Sequence, residues 1–124
     1  LFAVLGALVV IFVAVAWQAD AYLMPLGRRF ARSKAALDAY AAQVAAAGPA
    51  VLASPPSRIG YFRVLKAEPL PHGFVLQSEF GNPFDWDGLA YSTAPLPQYD
   101  HDAKGEIKQV FTPVQGCWYT VFRP

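Results

Sequence analysis

The chain has 124 residues, 55% of them hydrophobic and 15% aromatic, with a net charge of +1 and a single cysteine, Cys117. That charge balance excludes a general nucleic-acid grip, which relies on many Lys and Arg at phosphates, and one cysteine excludes an intramolecular disulfide framework. The length holds one small domain plus appendages.

The first predicted element is apolar. Leu1 to Trp17 carries no charged residue, and the hydrophobic texture continues to Met24, broken only by Gln18 and Asp20. A helix over residues 1–24 would be about 36 Å long, enough for a hydrocarbon core of about 30 Å. A secretory signal is the rival, because Ala14-Val15-Ala16 and Ala19-Asp20-Ala21 resemble cleavage sites. Its apolar region is shorter, however, at about 7–15 residues. The expectation is therefore an uncleaved transmembrane helix over 1–24, with Trp17 and Tyr22 at the headgroup level. Ala3, Gly6, Ala7 and Ala14 would offer small side chains to a neighbouring helix. The span has no ionisable residue before Asp20, so it supplies neither a haem ligand nor a proton relay. A single anchor of this kind predicts a single-pass protein of the inner membrane. Its domain would lean to the periplasmic side, although basic residues beside a span favour the cytoplasm. Those residues are Arg28, Arg29, Arg32 and Lys34. They are candidate contacts to lipid headgroups or to a charged partner.

Residues 25–48 form the next unit. Leu26, Phe30, Leu37, Tyr40 and Val44 recur at helical spacing, predicting an amphipathic helix that Gly48-Pro49 ends. Lys34 and Asp38 are placed to pair across one turn. Its apolar stripe suits a membrane surface or a partner, or the helix is a spacer. Residues 49–57 read as a Pro-rich linker.

Residues 58–124 change to aromatic and β-branched texture, predicting a small antiparallel β-domain of about five strands. These cover Ile59–Ala67, Phe74–Phe80, Leu89–Ser92, Glu106–Thr112 and Cys117–Phe122. Alternation puts Phe74, Leu76, Ser78 and Phe80 on one face, with Val75, Gln77 and Glu79 on the other. In the last strand Cys117, Tyr119 and Val121 oppose Trp118, Thr120 and Phe122. A β-domain this small is marginal alone and needs a helix, a membrane or a partner. The predicted fold class is thus an α+β membrane protein.

Chemistry-bearing patterns are sparse. Asp100, Asp102, Gly105 and Glu106 resemble the start of a calcium loop, but Lys104 and Phe111 stand where carboxylate or amide ligands belong. The loop reads instead as a solvated turn with Gly105 left-handed. Asp85 and Asp87 flank Trp86 in a turn-forming loop, where Asp usually bonds nearby backbone N–H groups. His72 and His101 sit outside any metal or nucleophile motif. Cys117 reads as a small apolar side chain. No enzyme activity, cofactor or metal is expected.

Two functional readings follow. The first is a non-catalytic, single-span accessory subunit of a larger membrane complex, of the kind respiratory and photosynthetic assemblies recruit, by analogy of class. Its partners would be other membrane protein subunits and the lipid bilayer, with neither nucleic acid nor a small-molecule substrate. The second is a tethered binding module for a soluble protein, peptide or small ligand. Its candidate partner contacts are Phe84, Trp86, Tyr91, Trp118 and Tyr119, whereas the first would dock through the transmembrane helix and the aromatic β-domain.

Overall fold

The computed structural model describes residues 3–12, 26–78 and 86–124. A first helix, α1, covers residues 3–12. The second, α2, spans Leu26–Ala47 and is followed by a short 3-10 helix, Pro49–Ala53. Seven strands follow among the described residues: β1 (Arg58–Ile59), β2 (Phe62–Leu70), β3 (Gly73–Ser78), β4 (Trp86–Ser92), β5 (Tyr99–His101), β6 (Ile107–Gln115) and β7 (Trp118–Arg123). They form one sheet in the order β1-β2-β3-β4-β7-β6-β5, with every neighbouring pair antiparallel.

The expected transmembrane helix over 1–24 is corrected. Among the described residues no helix is long and apolar enough to cross a membrane. The described residues of α1, 3–12, cover about 15 Å, half of a hydrocarbon core. Helix α2 has the length, at 22 residues, but carries three arginines and a lysine in its first nine positions. The membrane-protein class and the single-pass inner-membrane location fall with that helix. Residues 13–25, including Ala14, Trp17 and Tyr22, lie outside the described residues.

The apolar stripe of α2 has its partner within the chain. Phe30, Leu37, Tyr40 and Ala41 are buried against Phe62, Phe74, Leu76, Leu89 and Trp118 of the sheet, with Leu26 and Val44 packed at the margin. Burying Phe30, Leu37 and Tyr40 contributes about 1.5–3 kcal/mol each. Gly48 ends the helix with φ 91°, where a side chain would be strained, and its N–H closes on the Val44 carbonyl at 2.8 Å. The supposed linker then turns back as the 3-10 helix and buries Leu52 in the same core.

The opposite face holds a smaller core of Val75, Ala90, Phe111 and Val121. This face is concave. Arg123 on β7 reaches Glu68 on β2 at 2.7 Å, although two strands lie between them. In a flat sheet their backbones would stand about 20 Å apart, three strand spacings across and four residues along from Tyr119, which shares the row of Glu68, so the sheet curls to bring them together. Close strand approach permits this curl: a Cβ at Gly88 would collide with the Leu76 carbonyl, and one at Gly73 with that of Tyr91. The five expected strands become seven. β1 and β5 are added at the two edges, the latter inside a stretch expected to be loop.

Candidate functional site

Among the carboxylates that suggested chemistry, Asp87, Asp100 and Asp102 are engaged within the fold. Asp102 Oδ1 accepts the backbone N–H groups of Lys104 (2.8 Å) and Glu106 (3.0 Å), closing the β5–β6 turn. Gly105 has φ 81°, the left-handed conformation expected there. Asp100 Oδ2 accepts Gln109 Nε2 at 2.8 Å. Asp87 is half-buried and engaged within the fold; Asp85 and Phe84 lie outside the described residues. No cluster of three or more His, Cys, Asp or Glu side chains fit to hold a metal occurs among the described residues. His72 lies exposed at the β2–β3 turn and His101 at the edge strand. Their placement forms no nucleophile–base pair with a described serine or cysteine. Cys117 is half-buried at the β6–β7 hairpin.

Two further carboxylates are perturbed by structural partners. The Lys34 ammonium, at 2.6 Å, is the first cause of a lowered Asp38 pKa, and the indole N–H of Trp118 adds to it at 2.9 Å. The expected Lys34–Asp38 pair therefore exists and also ties α2 to β7. Glu68 is held below the usual carboxylate range chiefly by its hydrogen bond from Arg123, with burial opposing. Tyr40 is raised by burial alone. The two carboxylate shifts thus come from hydrogen bonds that hold elements of the fold together, and the tyrosine shift from burial.

The candidate partner aromatics divide. Trp118 is 2% exposed, with Phe30, Phe74 and Tyr91 around its ring at 5.0–6.2 Å. It is core and offers no face to a partner. Tyr91 stacks on Phe74 at 5.5 Å in the same cluster. Tyr119 is half-buried on the concave face, its hydroxyl accepting the Leu96 N–H at 3.3 Å. Trp86 opens β4, opposite Arg123. The aromatics left outside the core are others. Tyr99 pairs with Val110, which pairs with Phe122, making a cross-strand row over β5, β6 and β7. Tyr99 and Phe122 are 49% and 42% exposed. They share the face of α2 but lie beyond its cover. An open recess of about 350 Å3 flanks β6, lined by Leu96, Gln98, Phe111, Thr112 and Pro113.

Helix α1 is apolar throughout and every one of its residues is exposed, Ala3, Gly6 and Ala7 included. Its larger side chains, Val4 to Phe12, are 52–74% exposed. The basic candidates separate as well. Arg29 is buried, its guanidinium 5.8 Å from the centroid of the Phe62 ring. Lys34 pairs with Asp38, while Arg28 and Arg32 are exposed. Arg58 and Arg63, in the β1–β2 hairpin beside α2, were not among the sequence candidates. Their pairing is visible only once the hairpin's register is known, although a run of basic residues without acids flags the region.

Comparison with protein-family models, with curated proteins and with solved structures returns no match. The functional reading therefore rests on these residues.

Proposed function

We propose that this chain is a non-catalytic accessory or structural subunit of a larger protein assembly, docking through α1 and the uncovered aromatic edge of its sheet. The observation that carries the reading is α1: ten apolar residues in helical form, exposed on every side. A helix that is hydrophobic all round belongs in an interior. Taking its seven large side chains out of water is worth on the order of 10 kcal/mol, a gain the chain alone leaves unrealised. The row of Tyr99, Val110 and Phe122 supplies a second apolar contact, and aromatic rings in such a patch are the usual anchors of an interface. The partners are other protein subunits whose own apolar surfaces cover α1.

The test is capture of the chain through an affinity tag after Pro124, gently extracted. Native mass and stoichiometry are then measured for wild type and for the double variant Leu5→Asp, Val9→Asp. A defined particle with stoichiometric partners, lost in the variant, is the expected result. A lone chain of 13.5 kDa overturns the reading.

A further inference from the structure

The charge of +1 hides a strong separation along the chain. Residues 26–63 hold five arginines and one lysine against a single carboxylate, Asp38, and Lys34 already occupies that carboxylate. Residues 79–106 hold six carboxylates against one lysine, Lys104. The fold then gathers the basic half. Ser33 on α2 receives the backbone N–H of Tyr61 at 2.8 Å. A Cβ built on Gly60 would stand 2.9 Å from the Ser33 Cα. The second turn of α2 thus rests on the β1–β2 hairpin. Arg32 adjoins Ser33 and Arg58 lies two residues before Gly60, so their Cα atoms are within about 15 Å. Arg28 stands one turn from Arg32, about 6 Å along the helix.

Three features of this face are unfavourable without an anion. Arg28 lies in the first turn of α2, which has no acidic residue, and a cation there opposes the helix dipole. Arg28 and Arg32 are like charges four apart, which repel. Arg58 stands directly opposite Arg63 across the β1–β2 pair, a placement that destabilises like charges. Arg29 and Arg63 have contacts of their own within the fold. Arg28, Arg32 and Arg58 are exposed, and no carboxylate among the described residues bonds them.

The geometry points to an acidic segment of a partner protein, a run of Asp and Glu about five residues long, docking across Arg28, Arg32 and Arg58. Arginine fills all three positions, and its planar fork matches carboxylates two bonds at a time. An extended strand of five residues spans about 16 Å, enough to bridge the at most about 15 Å between the Arg32 and Arg58 Cα atoms. Nucleic acid fits less well. A duplex grip uses roughly 6–10 phosphate contacts, more than this face offers, and no exposed aromatic of the described residues lies on it for base stacking. This inference rests on the reading of the chain as a docking subunit and names the chemistry of one partner.

The test is direct binding of a fluorescent peptide of twelve alternating Asp and Glu residues to the full chain at 50 mM salt. Arg28→Glu, Arg32→Glu, Arg58→Glu is compared with Lys104→Glu, Lys108→Glu, a control that reverses charge elsewhere on the surface. The expected result is saturable binding that weakens at least tenfold in the arginine variant and less than threefold in the control. It also weakens by about tenfold at 200 mM salt, as screened charges require. Equal loss in both variants, or no saturable binding, overturns the inference. So does tighter binding of a twelve-nucleotide single strand, or of vesicles containing anionic phospholipid, than of the peptide. A chain that binds the peptide but enters no assembly sinks the subunit reading alone. An intact assembly from a chain that ignores the peptide sinks this inference alone.

Discussion

Glu68 and Arg123 show how one pair of residues shapes the sheet. Their contact spans four strands and is flanked by a bond from Arg123 Nε to Gln109 Oε1 at 3.1 Å. Gln109 is itself buried at 2%. Removing the charge with Glu68→Gln should cost about 1 kcal/mol at pH 7, between the exposed and buried values for such pairs. The pH dependence has a definite sign. The folded pKa of Glu68 is lowered, chiefly by the Arg123 bond. Its contribution is therefore present above the unfolded pKa of about 4.3 and is lost as pH falls through the folded value. Urea midpoints of wild type and variant should differ at pH 7 and converge as pH falls through the lowered folded value. A gap that stays constant with pH would assign the loss to packing. Leu37 makes the complementary case in the other core. At 0% exposure, Leu37→Ala should cost about 2–5 kcal/mol, with no pH dependence over the same range.

At the scale of elements, the curl of the sheet depends on close strand contact at Gly73 and Gly88. Gly73→Ala places a methyl against the Tyr91 carbonyl, so the β3–β4 pair must part or shift. Thermal unfolding should show a loss of about 2 kcal/mol, within the range for overpacked sites. Gly27→Ala is the contrast: nothing lies within 4 Å of its added Cβ, and in a helix alanine is favoured by up to about 1 kcal/mol. Elements differ in how far they were legible beforehand. The α2 stripe of Phe30, Leu37 and Tyr40 was readable because a 3.6-residue period acts within a single segment. The strand alternation of Phe74 and Leu76 against Val75 was readable for the same reason. β5 was not: Tyr99–His101 is three residues long and is held by pairing with β6, so its own residues carry little strand signal. Trp118 was misjudged as a contact because alternation identifies a face but not what covers it. Arg58 was missed because its place beside Arg32 is created by the tertiary contact of Ser33 with the hairpin. The apolar opening segment was read as a span on hydropathy alone, whereas among the described residues no helix is long and apolar enough to cross a membrane.

For the whole molecule, the division of labour between α1 and the rest has a measurable consequence. Both cores draw their residues from α2 onward, and none comes from residues 3–12. The sheet, by contrast, cannot close its convex face without α2, which covers Phe62, Phe74, Leu76 and Trp118. A fragment of residues 26–124 should therefore unfold cooperatively, with a denaturation free energy within about 0.5 kcal/mol of the full chain, the usual spread for changes away from a core. A fragment of residues 58–124 loses the helix and exposes that whole apolar layer. It should show no cooperative transition and should aggregate, because its remaining core is too small to offset chain entropy. Denaturant titrations of the two fragments, followed by near-ultraviolet circular dichroism of Trp118, separate the cases. A cooperative 58–124 fragment would mean that the concave core of Val75, Ala90, Phe111 and Val121 suffices, and α2 would then be an appendage. A 26–124 fragment that fails to fold would make α1 part of the fold. That would remove the reason for assigning its apolar surface to another subunit.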